Sequence, residues 1–113
     1  MRATELKRNL LFRKVLNKEF NHYSEVETNI LISIYFMNIQ YERCSGNSLF
    51  KYLSKINRTP YKKKLLLAIR KFKQEGMIKV NGKGASTNIL LTQDAKLILF
   101  RLEEKVRRVR ISY

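Results

Sequence analysis

Apolar and polar positions alternate along this chain with two periods, and the change from one to the other divides it into elements. Residues 3–20 suit a helix: Leu6, Leu10, Leu16 and Phe20 share one broad face, while Leu11 and Val15 fall on another. "NHYS" at 21–24 breaks it. Ser24 followed by Glu27 is an S-x-x-E capping box ahead of an apolar run, so a helix is predicted over about 25–42. Ile30, Ile34, Met37 and Tyr41 recur at helical spacing there, and Leu31 and Tyr35 widen the stripe, as in a central core helix. "CSGNS" at 44–48 reads as a turn, followed by a short helix over 47–56 that turns Leu49, Leu53 and Ile56 inward.

"NRT" at 57–59 is the next turn. Thr59 is placed to cap a helix, and Pro60 sits at its first position, where a missing N–H costs nothing. This helix is predicted over 60–75, buries Leu65, Ile69 and Phe72, and stops at Gly76. The period then shortens to two. "MIKV" at 77–80 and "NILL" at 88–91 read as strands, joined by the glycine-containing tip "NGKGAST". Thr92 caps a last helix running to about 110, with Asp94 suited to its first turn. Ala95, Leu99, Leu102, Val106 and Val109 form its main stripe, Ile98 lies at the edge, and Leu97, Phe100 and Ile111 lie on another side. Two apolar sides on both outer helices predict a homodimer.

Charge changes this picture. The chain has 113 residues, with 24 Lys+Arg against 9 Asp+Glu, a formal net charge of +15. Such a balance calls for a polyanionic partner, nucleic acid before an anionic membrane. Between Arg58 and Lys79 there are eight Lys/Arg and one acid. Lys63, Leu67, Arg70, Lys71 and Gln74 lie opposite the buried stripe of the 60–75 helix, flanked by Lys62 and Lys64. Three of these lysines occupy the first turn, the partially positive end of the helix, where each cation costs up to about 1 kcal/mol. A solvated charged face is the plain reading of this run. An anion docked there resolves the conflict, because the helix end adds its own N–H groups to the site.

Other chemistry finds little to build on. Cys44 is the one cysteine and His22 the one histidine, which leaves no disulfide and no structural zinc set. No nucleophile–base pair, phosphate-binding glycine loop or metal-ligand cluster is legible, so the chain is expected not to be an enzyme and to need no cofactor. Cys44 reads as a small core or turn residue, and Tyr35, Phe36 and Tyr41 as core rather than a platform for bases. "ILISIYFMNI" at 30–39 is too short to cross a membrane, and "MRATELKRNLLFRK" has no signal core. A cytoplasmic, nucleoid-associated protein is expected.

The order helix, helix, helix–turn–helix, hairpin, helix resembles the winged helix–turn–helix, and within that group the multiple-antibiotic-resistance-regulator (MarR) type. The likeness covers roughly 24–100 and rests on "NSLFKYLSKINRTPYKKKLLLAIRKFKQEGMIKV", a glycine-containing wing and "LLTQDAKLIL". Phe72, Gly76 and Met77-Ile78 take the positions of the family's leucine-x-x-x-glycine-aliphatic pattern. "LLTQDA" matches its post-wing motif. The resemblance implies a mainly α fold with a small β-hairpin wing (α+β) in one winged-helix domain over 1–113. That domain would comprise an N-terminal helix (1–22), a core (24–91) and a C-terminal helix (92–113).

The same resemblance implies duplex-DNA binding by a transcriptional regulator, with the 60–75 helix in the major groove. Arg58, Thr59, Tyr61, Lys62, Lys63, Lys64, Arg70, Lys71 and the wing's Lys83 are the expected contacts. An accessory DNA protein of a plasmid, phage or mobile element fits the same fold. So does a module binding RNA or an acidic protein. The sequence names no effector ligand and no target site.

Overall fold

A computed structural model describes residues 23–55 and 62–111. The helix expected over 3–20, together with His22, Ile56, Arg58, Thr59, Pro60 and Tyr61, lies outside the described residues, as do the side chains of Val109 and Ile111. The described elements run α1 (Glu25–Ile39), α2 (Gly46–Lys55), α3 (Lys62–Gln74), β1 (Ile78–Asn81), β2 (Asn88–Leu91) and α4 (Gln93–Ile111). This is a mostly helical α+β fold with one small antiparallel sheet.

The capping box at the start of α1 is complete. The Glu27 N–H donates to Ser24 Oγ at 3.1 Å, and the Ser24 N–H donates to Glu27 Oε1 at 2.8 Å. From Thr28 to Asn38 every residue of α1 is buried, so the helix runs through the middle of the core rather than along its edge. Two of its polar residues are satisfied within the helix and its cap. The Thr28 hydroxyl donates to the Ser24 carbonyl at 2.9 Å and the Ser33 hydroxyl to the Asn29 carbonyl at 2.8 Å.

The helix ends three residues before the expected limit, which corrects the placement of Tyr41 in the buried stripe. Tyr41 is 97% exposed and left-handed, with φ of 56°. The Glu42 N–H reaches back to the Met37 carbonyl at 3.0 Å and the Tyr41 N–H to the Asn38 carbonyl at 3.1 Å. These two bonds make a Schellman stop with tyrosine where glycine is usual. No spacing rule shows such a stop without a glycine to mark it.

Around α1 pack Leu49 and Leu53 of α2, Leu65, Ala68 and Phe72 of α3, Ile78, Ile89 and Leu91 of the hairpin, and Ala95, Leu99, Leu102 and Val106 of α4. Deep in this core the Tyr35 hydroxyl donates to the Glu103 carboxylate, joining α1 to α4. The hairpin pairs Ile78 with Leu91 and Val80 with Ile89. At its turn Gly82 has φ of +78°, and a Cβ there would stand 2.2 Å from the Ser86 carbonyl oxygen, so only glycine fits.

The outer edge of β2 is not left open. The Ile89 N–H donates to the Cys44 carbonyl at 2.6 Å, and Asn88 Oδ1 accepts from the Cys44 N–H at 3.0 Å. Further along, Asn38 Nδ2 donates to the Ile89 carbonyl at 3.1 Å while Asn38 Oδ1 accepts from the Leu91 N–H at 2.8 Å. One buried side-chain amide thus does for this edge what a third strand would do. Thr92 closes the hairpin onto α4: its N–H donates to the Met77 carbonyl at 3.0 Å and its hydroxyl to the Gly76 carbonyl at 2.8 Å.

Candidate nucleic-acid interface

Helix α3 is divided lengthwise. Leu65, Ala68 and Phe72 recur at three and four residues and are buried, with Ile69 half-buried at their edge. Lys63, Leu67, Arg70 and Gln74 recur at the same spacing on the opposite side, and all are exposed. Lys62, Lys64, Leu66 and Lys73 flank that line and are exposed as well. The helix carries no acidic residue. Among the described residues no carboxylate pairs with Lys62, Lys63, Lys64 or Arg70, and all four are exposed.

The C-terminal end of α3 is fixed by its own chain. The Met77 N–H bonds the Phe72 carbonyl at 2.9 Å and the Gly76 N–H the Lys73 carbonyl at 3.2 Å, with Gly76 at φ +73°. Tyr23 then ties this half of α3 to the start of α1. Its ring meets Phe72 edge-on at 5.3 Å, and its hydroxyl donates to Glu75 Oε1 at 2.8 Å. Burial, with the Glu75 carboxylate alongside, pushes the Tyr23 phenol well above its usual value, so it stays a neutral donor.

Lys71 belongs to this internal clamp. Its Nζ lies 3.1 Å from Glu27 Oε2 and 5.3 Å from the centre of the Tyr23 ring. Partial burial alone would raise the Glu27 carboxyl. Its bonds to the Ser24 N–H and to Lys71 outweigh that effect, and its pKa lies below the ordinary glutamate value. Lys71 therefore sits on the flank of α3 that faces α1 and is already paired, whereas the spacing had grouped it with the outward cations. Beside it Ser24, Val26, Glu27, Lys64, Leu67 and Ala68 line an open cleft of about 310 Å³.

Lys83 stands exposed at the hairpin tip. Its N–H donates to Ser86 Oγ at 3.2 Å, and its carbonyl accepts from the Ser86 N–H at 3.0 Å, so its backbone is fixed while its ammonium is in solvent. A residue not expected from the sequence joins the hairpin: Arg43 Nε donates to the Thr87 carbonyl at 3.1 Å. Arg43, Ser45, Asn47, Ser48 and Thr87 line a cleft of about 490 Å³ between the start of α2 and the hairpin. Ser45 and Ser48 cap α2 reciprocally, at 3.1 Å and 2.7 Å. The "S-G-N-S" spacing held that cap in plain view, but the contact of Arg43 spans 44 residues and left no local signal.

The remaining chemistry is quiet. Cys44 is fully buried, and burial raises its thiol to about 12. Among the described residues no three His, Cys, Asp or Glu side chains assemble as a metal site. No described helix is long and apolar enough to cross a membrane.

Comparison with known proteins gives the fold a relative. No family model matches the chain, and no curated protein matches it. The crystal structure of AF1382 from Archaeoglobus fulgidus is similar, with a TM-score of 0.62 over 82% of this chain and 94% of that one, at 22% identity. This likeness concerns the arrangement of helices and hairpin and says nothing of activity.

Proposed function

We propose that this chain is a winged helix–turn–helix protein of the MarR-like kind that binds duplex DNA as a transcriptional regulator, with α3 as the helix entering the major groove. The observation that carries the reading is the first turn of α3. Lys62, Lys63 and Lys64 are exposed, unpaired by any described carboxylate, and set against the positive end of their own helix. Phosphates along a groove remove that conflict, and the helix start adds N–H groups to the same anions. Arg70 lies on the same line as Lys63, two turns along. Lys83, with Arg43 beside the hairpin tip, adds cations for the flanking backbone. Arg58, Thr59 and Tyr61 complete the entry to the helix in this reading. Lysine is a point charge rather than a fork, so binding is strong and base discrimination modest.

The regulator acts as a homodimer. Ile39, Leu97, Ile98 and Phe100 are between 37% and 53% exposed, and Tyr35, Ile39, Leu97 and Phe100 line an apolar groove of about 310 Å³ between α1 and α4. In a chain of charge +15, a second copy meets least repulsion at such an apolar face, where Lys96 is the one cation of the groove lining among the described residues.

Fluorescence anisotropy with a random duplex and with the gene's own upstream region, across a salt series, tests the function. Lys62, Lys63, Lys64, Arg70 and Lys83 on phosphates give a log–log slope of about −4 to −5. Tighter binding upstream marks an autoregulating factor. Equal binding marks an accessory DNA protein. No binding at low salt removes the DNA reading and leaves RNA or an acidic protein as the partner. Sedimentation of the free protein reports the dimer.

A further inference from the structure

The outward face of α3 is not purely cationic. Leu66 is 61% exposed and Leu67 51% exposed, in the turn between the three lysines and Arg70. Leu67 stands on the central line of that face, between Lys63 and Arg70. A leucine cannot hold a phosphate, and both of these leave half or more of their surface in water amid lysines. A groove of DNA offers one apolar feature at base level, the C5-methyl group of thymine, and it lies on the major-groove side. Cations on either side of the leucines suit the phosphate walls that flank such a methyl.

We propose that Leu67, with Leu66 beside it, is a specificity-determining contact that reads C5-methyl groups in the major groove, so that the preferred ligand is B-form duplex DNA rich in A·T pairs. This rests on the DNA reading given above and adds the base class to it. The same surface discriminates against RNA, whose uracil lacks the methyl and whose duplex has a major groove too deep and narrow for a helix.

The test adds and removes the methyl in two base contexts. Binding at fixed salt is measured for an alternating A–T duplex and its deoxyuridine counterpart, and for an alternating G–C duplex with cytosine or 5-methylcytosine. The wild-type protein is expected to prefer the methylated member of both pairs, by roughly fourfold for each methyl in contact. The double variant Leu66→Ala/Leu67→Ala is expected to bind both members of a pair equally while keeping its salt slope. Leu67→Gln, which keeps length and adds polarity, loses most of the preference alone. Both leucines are exposed, and an unchanged circular dichroism spectrum and melting temperature show that the variants fold.

Equal binding of methylated and unmethylated duplexes by the wild type, with a steep salt slope, overturns this inference and leaves DNA binding standing. A preference that survives in the double variant also overturns it, because the methyl then acts through duplex shape rather than through leucine. Failure to bind any duplex overturns both.

Discussion

Helices α1 and α3 lie in one small fold and answer opposite demands. Helix α1 buries eleven consecutive residues, Thr28 to Asn38, and the side chains of Thr28, Ser33, Tyr35 and Asn38 all hydrogen-bond inside the chain. Helix α3 buries three, Leu65, Ala68 and Phe72, and leaves its first-turn lysines without a described partner. In α1 the capping box and the apolar run both agree with the fold. In α3 the inner side agrees with the fold and the outer side contradicts the field of its own helix. A contradiction confined to one face, on a helix capped well at its other end, points away from stability and toward a ligand.

Variants that separate these demands break or sharpen the comparison. The largest effect is expected from Asn38→Leu. It leaves the Ile89 carbonyl and the Leu91 N–H buried without partners, at a cost of about 2–4 kcal/mol, read as a lower midpoint in urea. A midpoint within about 0.5 kcal/mol of wild type would mean that water or backbone readily replaces the amide. Next comes the triple variant Lys62→Glu/Lys63→Glu/Lys64→Glu. It matches the helix dipole and is expected to raise stability by about 1 kcal/mol while DNA affinity falls roughly a hundredfold or more at low salt. Lower stability together with intact DNA binding would put the lysines on the structural side of the comparison.

The smallest effect concerns Glu27, whose partner Lys71 belongs to α3 but faces α1. Glu27→Gln keeps a capping acceptor and removes the ion pair, an expected loss of at most about 1 kcal/mol. The folded-state pKa of Glu27 is depressed, so its contribution is complete above the unfolded value of about 4.3 and is lost as pH falls through the folded value. The difference in melting temperature between wild type and Glu27→Gln should therefore hold from pH 7 to pH 5 and close below pH 4. A difference that persists at pH 2 would assign the effect to packing.

Element type was legible wherever one period persisted. Strand β2 falls on the expected residues 88–91, and α2 and α4 start within one residue of their expected positions. The capping box of α1 and the Gly76 stop of α3 were readable because each is written in adjacent residues. What escaped was long-range or against propensity. Asn38 reads as a polar interruption in an apolar run, and only the hairpin 51 residues on gives its amide a purpose. Tyr41 stops α1 in a conformation that no tyrosine announces. Lys71 lies about a quarter-turn from the outward line of α3, close enough for spacing to group it with the free cations, until Glu27 and Tyr23 claim it. The basic outer face itself was plain in the sequence, because charge needs no partner to be seen.

The setting of Cys44 makes it a reporter. Its backbone N–H and carbonyl both hold β2, and its sulfur has no exposed surface. A thiol reagent can reach it only after the edge of the hairpin parts from the 43–45 segment. In limiting reagent the alkylation rate becomes a clock for that opening, and its denaturant dependence tells a local fray of the hairpin from unfolding of the whole chain. With one cysteine in the sequence, the signal comes from one place, and the wild-type protein serves without alteration.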